Sequence, residues 1–293
     1  MNGTHPWLQT WWDWRAAGNF IAGGSGSGLL LITAVAGLLV GPVAWLTLLS
    51  LILVTAGLSL VWLELGRPWR FLHVFFNPHT SWMTREAIVA MPLLILGLTG
   101  VLTARLGLVW AAATVGMVFL YCQGRMLIAA KGIPVWRTPR IMGLILTTGI
   151  AEGCGLYLLL APWLAPDALT ATFPLVSILL LVFIAGRFFA WRSYRSGLQG
   201  NAPTAALEVL HRSSPAFIVI GHILPALAIL SGLLFPGILL ISGLVAGVTA
   251  ASAGWFIKNV IITRAAFNQG YAIEHAPARG GGHAGPGTKP GWD

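Results

Sequence analysis

The amino-acid sequence predicts an all-α integral membrane protein of eight transmembrane helices, arranged as two four-helix bundles, and three observations carry that prediction. Hydrophobic residues make up 57% of the chain and charged residues 9%, with a mean hydropathy of +0.82, whereas soluble globular chains carry about 25% charge. Apolar runs of about 20 residues recur along the chain, each long enough as helix to cross a hydrocarbon layer roughly 30 Å thick. Short and long connections alternate between these runs, and nearly all cations fall on the long-loop side.

The elements follow in order. Residues 1–19 open with MNGTHPWLQTWWDWR, which lacks the basic n-region, apolar h-region and small-residue cleavage site of a signal peptide, so no cleavage is expected. Trp7, Trp11 and Trp14 recur at helical spacing, which predicts a segment lying along the headgroup layer. The membrane domain spans 20–258, with apolar windows at 20–40, 43–63, 86–105, 107–129, 141–163, 172–192, 215–235 and 237–257. Its first bundle covers 20–130 and its second 141–258. Gly41-Pro42, Gly107 and Phe235-Pro236-Gly237 mark tight turns, with a longer one at Ala165-Pro166-Asp167. The remainder, 259–293, reads as a cytosolic tail, disordered from about Ala276, where Gly and Pro replace apolar residues.

Charge sets the expected orientation. Cytoplasmic loops are enriched in Lys and Arg, and only Arg105 falls opposite the N-terminus, so both termini should be cytoplasmic. On this reading Arg187 and Lys258 belong with the orienting cations. Trp45, Trp110 and Trp163 at outer ends and Trp62, Trp136, Trp191 and Trp255 near inner ones agree with the map. The net charge of +9 does not point to nucleic acid, because the seventeen Lys and Arg are dispersed rather than clustered with aromatic residues for stacking. Cys122 and Cys154 sit in apolar runs and read as small buried hydrophobes, which leaves no iron–sulfur motif in the chain.

One polar stretch interrupts the pattern: ELGRPWRFLHVFFNPHTSWMTREA, residues 64–87. Gly66 could close the second helix in a left-handed cap, Pro68 could start a short interfacial helix, and Asn77-Pro78 would stop it. Thr80 or Ser81 could cap the third helix, whose first turn would hold Glu86 against the helix dipole. Two carboxylate-bearing helix ends would then meet beside three arginines. The simple reading is an orientation signal with snorkelling arginines.

The stretch also resembles the loop after the second helix in the NrfD/DmsC-like (polysulfide reductase/DMSO reductase anchor) membrane subunit family. Glu64, Leu65, Gly66, Arg67, Pro68, Arg70, His73, Ser81, Trp82, Arg85 and Glu86 carry the likeness, and eight crossings with the Gly-rich NFIAGGSGSGLLL extend it. The resemblance implies a subunit of the bacterial cytoplasmic membrane that anchors a four-cluster ferredoxin-like iron–sulfur subunit and a molybdopterin catalytic subunit holding molybdenum or tungsten. Electrons would pass to ubiquinone or menaquinone. With the loop on the positive side, the partners should be cytosolic, as in the phenylacetyl-CoA:acceptor oxidoreductase or sulfite dehydrogenase subgroups. WDWRAAGNFIAGG and FNQGYAIEHAPARGG resemble the former.

The residues bear separately on that chemistry. Cytochrome b-type haem needs axial histidines projecting into a bundle, and only His222 lies clearly within a predicted span, so no haem is expected. A quinone site needs an apolar slot, hydrogen-bond donors and a source of two protons. Asn19, Glu64, His73, Arg85 and Glu86 offer the polar parts, with His73 able to change charge near neutral pH and a desolvated glutamate able to hold a proton. Arg67, Arg70 and Trp82 would dock the partner, each alternatively a plain structural contact.

Glu152 lies mid-span among Gly149, Gly153 and Gly155, where a carboxylate costs about 2.5–3.5 kcal/mol on insertion scales and usually faces the bundle interior. It could relay protons, although the residues opposite offer only Arg105 and Asp167 to continue a path. Residues 23–28, GGSGSG, favour close helix packing; the sharper alternative is room for a quinone ring, and no Lys-Ser or Lys-Thr follows to make a phosphate loop. The rival function is a transporter or channel with Glu152 and His222 as a midplane site, though no repeat of two matching halves is visible.

Overall fold

The computed structural model describes residues 5–64 and 68–270, with side chains throughout except at 64 and 68–71. Those described residues are all-α, with eight helical segments long and apolar enough to cross a membrane. The spans are α1 (Trp14–Val40), α2 (Ala44–Glu64), α3 (Trp82–Thr103), α4 (Leu106–Ala129), α6 (Ile141–Leu164), α7 (Pro166–Leu198), the pair α8 (Thr204–Ile218) and α9 (Leu224–Leu234), and α10 (Leu239–Asn259). A one-turn helix, α5 (Pro134–Arg137), bridges α4 and α6, and a 3-10 helix, Pro68–Phe75, lies between α2 and α3.

Local chemistry explains the ends. The Asp13 side chain caps α1 by accepting from the Arg15 N–H at 2.8 Å, and hydrogen bonds from Arg15 hold its carboxyl below the usual carboxylate range. Gly41 ends α1 at φ 81°, a left-handed conformation that a Cβ disfavours, and Pro42 follows. Ser81 caps α3 through the Thr84 N–H at 3.3 Å, as expected of it. Glu86 is not in that first turn; it lies further along α3 and is buried. The α3–α4 turn is made by Ala104, at φ 48°, and Arg105, while Gly107 is already inside α4. The α6–α7 connection is Ala165 alone, because Pro166 starts α7 as its first residue, where a missing N–H costs nothing.

α1 packs against α2, α4 and α6, and α6 in turn against α7 and α10, so α1 and α6 stand at the centre and cross there. Glycine permits that crossing. A Cβ on Gly28 would strike the Gly149 carbonyl, and one on Gly153 would strike Gly28 backbone, so the two helices touch main chain to main chain. Packing is thus what Gly28 does within residues 23–28.

The ends of the chain differ from expectation. Trp7, Trp11 and Trp14 do not share a helix, since α1 begins only at Trp14. Residues 7–9 instead run extended beside 266–268, with Gln9 N–H on the Ala266 carbonyl at 3.0 Å and Asn268 N–H on the Trp7 carbonyl at 3.0 Å. Trp12, which falls outside that spacing, turns inward and stacks on Trp136 at 4.8 Å. Likewise 259–264 is no loose tail: α10 continues through a π-helical turn, Val260–Arg264, with Val260, Ile261 and Ile262 buried. The two described chain ends therefore lie on one side of the bundle. Residues 276–293 lie outside the described residues.

Candidate functional site

Among the described residues, two polar places in the interior hold ionisable side chains from several helices. The first is a cavity of about 410 Å³ between α2, the 3-10 helix and α3, lined by Leu58, Trp62, Phe75, Ala90 and Leu94 among others, with His73 and Glu86 on its wall. Its size falls in the range of small-molecule sites, roughly 300–1,000 Å³. Glu86 is 2% exposed. The Asn19 amide of α1 donates to Glu86 Oε1 at 3.4 Å, and the Gln123 side chain of α4 lies beside the carboxyl. Gln123 Nε2 in turn donates to the Asn19 carbonyl at 3.1 Å, so three helices converge on this carboxyl. Asn19 Oδ1 and Gln123 Oε1 are buried acceptors with no donor. His73 is exposed at the other end of the wall, its ring edge-on to Phe76 at 5.3 Å.

The other residues of the loop are placed as follows. Arg85 turns away from the cavity: its guanidinium donates to the Pro78 and His79 carbonyls at 2.7 and 2.8 Å and lies 4.0 Å over the Trp82 ring. Arg125 of α4 covers the same ring at 4.6 Å. Two guanidiniums thus lie against the Trp82 ring, each favoured by its negative face. Arg67, and the side chains of Glu64 and Arg70, lie outside the described residues.

The second place lies between α1, α6, α7 and α10. Glu152 is fully buried and pairs with Lys258 of α10, Oε2 to Nζ 2.6 Å, with Lys258 itself 1% exposed. Ser25 Oγ donates to the same oxygen at 2.8 Å and accepts from the Trp255 indole at 2.9 Å, while Lys258 also donates to the Phe20 carbonyl at 3.0 Å. Glycine makes the space: a Cβ on Gly24 would strike the ammonium, and one on Gly254 the carboxylate. Arg187 of α7, fully buried, donates to the Ala250 carbonyl at 3.0 Å and to the Gly221 carbonyl. The latter is free because its partner in a regular helix would be Pro225, which has no N–H. A π-helical turn, Val219–Ile223, forms there and carries His222, whose Nδ1 bonds the Phe217 carbonyl at 3.1 Å.

Sequence reading missed Lys258 and Arg187 as interior groups, because positive charge near a span end reads as orientation. A depth count could have found Arg187. It lies about three turns inside the end of α7 at Leu198, deeper than an orienting cation at the last turn of a span.

Among the described residues, no group of three His, Cys, Asp or Glu side chains gathers as a metal-ligand set. Fold and interior together define a polytopic helical membrane protein with a buried ion cluster and a side cavity edged by ionisable groups. Neither the protein-family models nor the curated proteins compared with this chain give a match.

Proposed function

We propose that the protein is a membrane anchor and quinone-interacting subunit of a molybdopterin/iron–sulfur oxidoreductase, working in a cytoplasmic membrane beside a cytosolic iron–sulfur partner. The observation that carries this reading is the cavity between α2 and α3, an apolar slot with Glu86 and His73 on one wall. Ubiquinone or menaquinone bound there would supply two-electron, two-proton redox chemistry, with electrons coming from the partner's nearest cluster.

The chain's own residues supply the rest. The apolar wall, Leu58, Ala90 and Leu94, excludes water and accepts a ring and isoprenoid carbon. Glu86, desolvated and steadied by Asn19 and Gln123, is suited to hold a proton and pass it to an oxygen in the slot. His73 lies exposed on the same wall of the slot. Arg85, bound to loop carbonyls, shapes the loop rather than the slot. Trp82 and its two guanidiniums form a rigid cationic surface suited to a docked partner. Transport through Glu152 and His222 has less support, since Lys258 and Ser25 hold one oxygen of Glu152 and the Phe217 carbonyl holds one nitrogen of His222.

The test uses the assembled complex with a water-soluble quinone and with an artificial dye that accepts electrons upstream of the anchor. Glu86→Gln and His73→Ala should each slow quinone reduction by about a hundredfold, the low end for loss of a positioned proton-transfer group, with dye reduction unchanged. Wild-type quinone kinetics in both variants, or purification with no redox partner, would overturn the proposal.

A further inference from the structure

A further cavity on the long-loop side is unrelated to the slot just described. It holds about 620 Å³ between the last turns of α7 and the first turns of α8, which leave the membrane domain together and are joined by the loop at 199–203. Its lining divides by height. Phe188 and Ile218 form the end nearer the membrane interior, and Arg192, Arg195, Gln199 and His211 form the other.

The helices place that division at the headgroup level. As 33 residues of helix, α7 is about 50 Å long against a hydrocarbon layer of roughly 30 Å, so its final turns emerge from the oil. The first part of α8, TAALEVLHRSS, is amphipathic and carries Glu208, His211 and Arg212, and the helix becomes apolar only from Pro215. Immediately membraneward, Phe189, Val219 and Ile220 are exposed apolar surface that lipid chains would cover.

Charge at this level is unbalanced. Arg195 is held in place, donating to Ser214 Oγ at 3.1 Å and to His211 Nδ1 at 3.3 Å. Trp191 Nε1, 1% exposed, donates to the same hydroxyl at 3.1 Å and fixes it. Arg192 is exposed, its guanidinium 6.0 Å over the Phe188 ring. Among the described residues neither arginine has a carboxylate partner, and the one acid on the rim, Glu208, is taken by Arg212. Two oriented guanidiniums above an apolar floor are complementary to a phosphate that carries acyl chains.

We infer that the α7–α8 cavity binds the phosphodiester headgroup of an anionic phospholipid between Arg192 and Arg195, with its acyl chains running over Phe188 and Ile218. A free phosphate offers the same oxygens but nothing for the apolar floor. An acidic protein segment is the other occupant that the charge would attract.

Native mass spectrometry of the full chain, purified in mild detergent and titrated with phosphatidylglycerol, phosphatidylcholine or inorganic phosphate, tests the inference. Phosphatidylglycerol should stay bound and raise the unfolding temperature, and the other two should do neither. Arg192→Gln and Arg195→Gln should each weaken retention about fivefold. Arg105→Gln, which removes an exposed cation at the opposite end of the bundle, should leave it unchanged. Because Arg195 also bonds Ser214, the exposed Arg192 is the decisive variant should Arg195→Gln misfold. Equal retention of phosphatidylcholine, an equal effect of inorganic phosphate, or variants that keep the lipid but lose a co-purifying acidic protein would each overturn it.

Discussion

Glu152 shows what a single residue can reveal and what it conceals. A carboxylate at that depth must face a partner or remain protonated, and the sequence marks it for that reason. Its partner could not be read in advance, because Lys258 follows it by more than a hundred residues and resembles any cation at a helix end. Removing one member of a buried pair leaves the other uncompensated, at a cost of about 3–5 kcal/mol, whereas replacing both with apolar groups can be near neutral. Accordingly, Lys258→Met should sharply lower the thermal stability of the detergent-solubilised protein, and Lys258→Met combined with Glu152→Leu should recover much of the loss. Strict additivity of the two single effects would show that the groups act apart. Glu86 is the other instructive residue: its type and neighbourhood were legible, but its burial under Asn19 and Gln123 depends on three helices meeting.

At the scale of elements, periodicity and turn residues locate the spans well, since a membrane admits few alternatives to a continuous apolar helix. Ends were less legible where tertiary contacts override local signals. The tryptophans before α1 are spaced like a helix, yet pairing with 266–268 and the Trp12–Trp136 stack draw the backbone straight. The crossing of α1 and α6 is the element-level feature most sensitive to substitution. Gly153→Ala places a methyl against Gly28 backbone, a contact between two main chains that no side chain can relieve. It should markedly reduce the yield of folded protein from the membrane, measured by fluorescence-detected size exclusion. Gly107→Ala, facing open space, should leave the yield unchanged or slightly improved. Equal yields from the two variants would mean that the helices can part at little cost.

For the whole molecule, eight crossings and the pairing of residues 7–9 with 266–268 put both described ends on one side. Reporters fused to the two termini should therefore agree, and one inserted at Ala165 should give the opposite signal. Disagreement between the termini would rule out the eight-span arrangement, and a shared cytosolic signal would support the proposed partner side. The sequence by itself determined that the chain is helical, crosses a membrane eight times and carries a polar loop between its second and third spans. Those properties follow from the cost of placing unpaired backbone and charge in hydrocarbon, which every residue registers locally. Only the tertiary structure decided that Lys258 and Arg187 point inward, that the glycines of α1 receive α6 and an ammonium, and that Glu86 closes the end of a cavity. Each depends on helices far apart in the chain meeting at a common depth, and apolar periodicity does not encode which helices those will be.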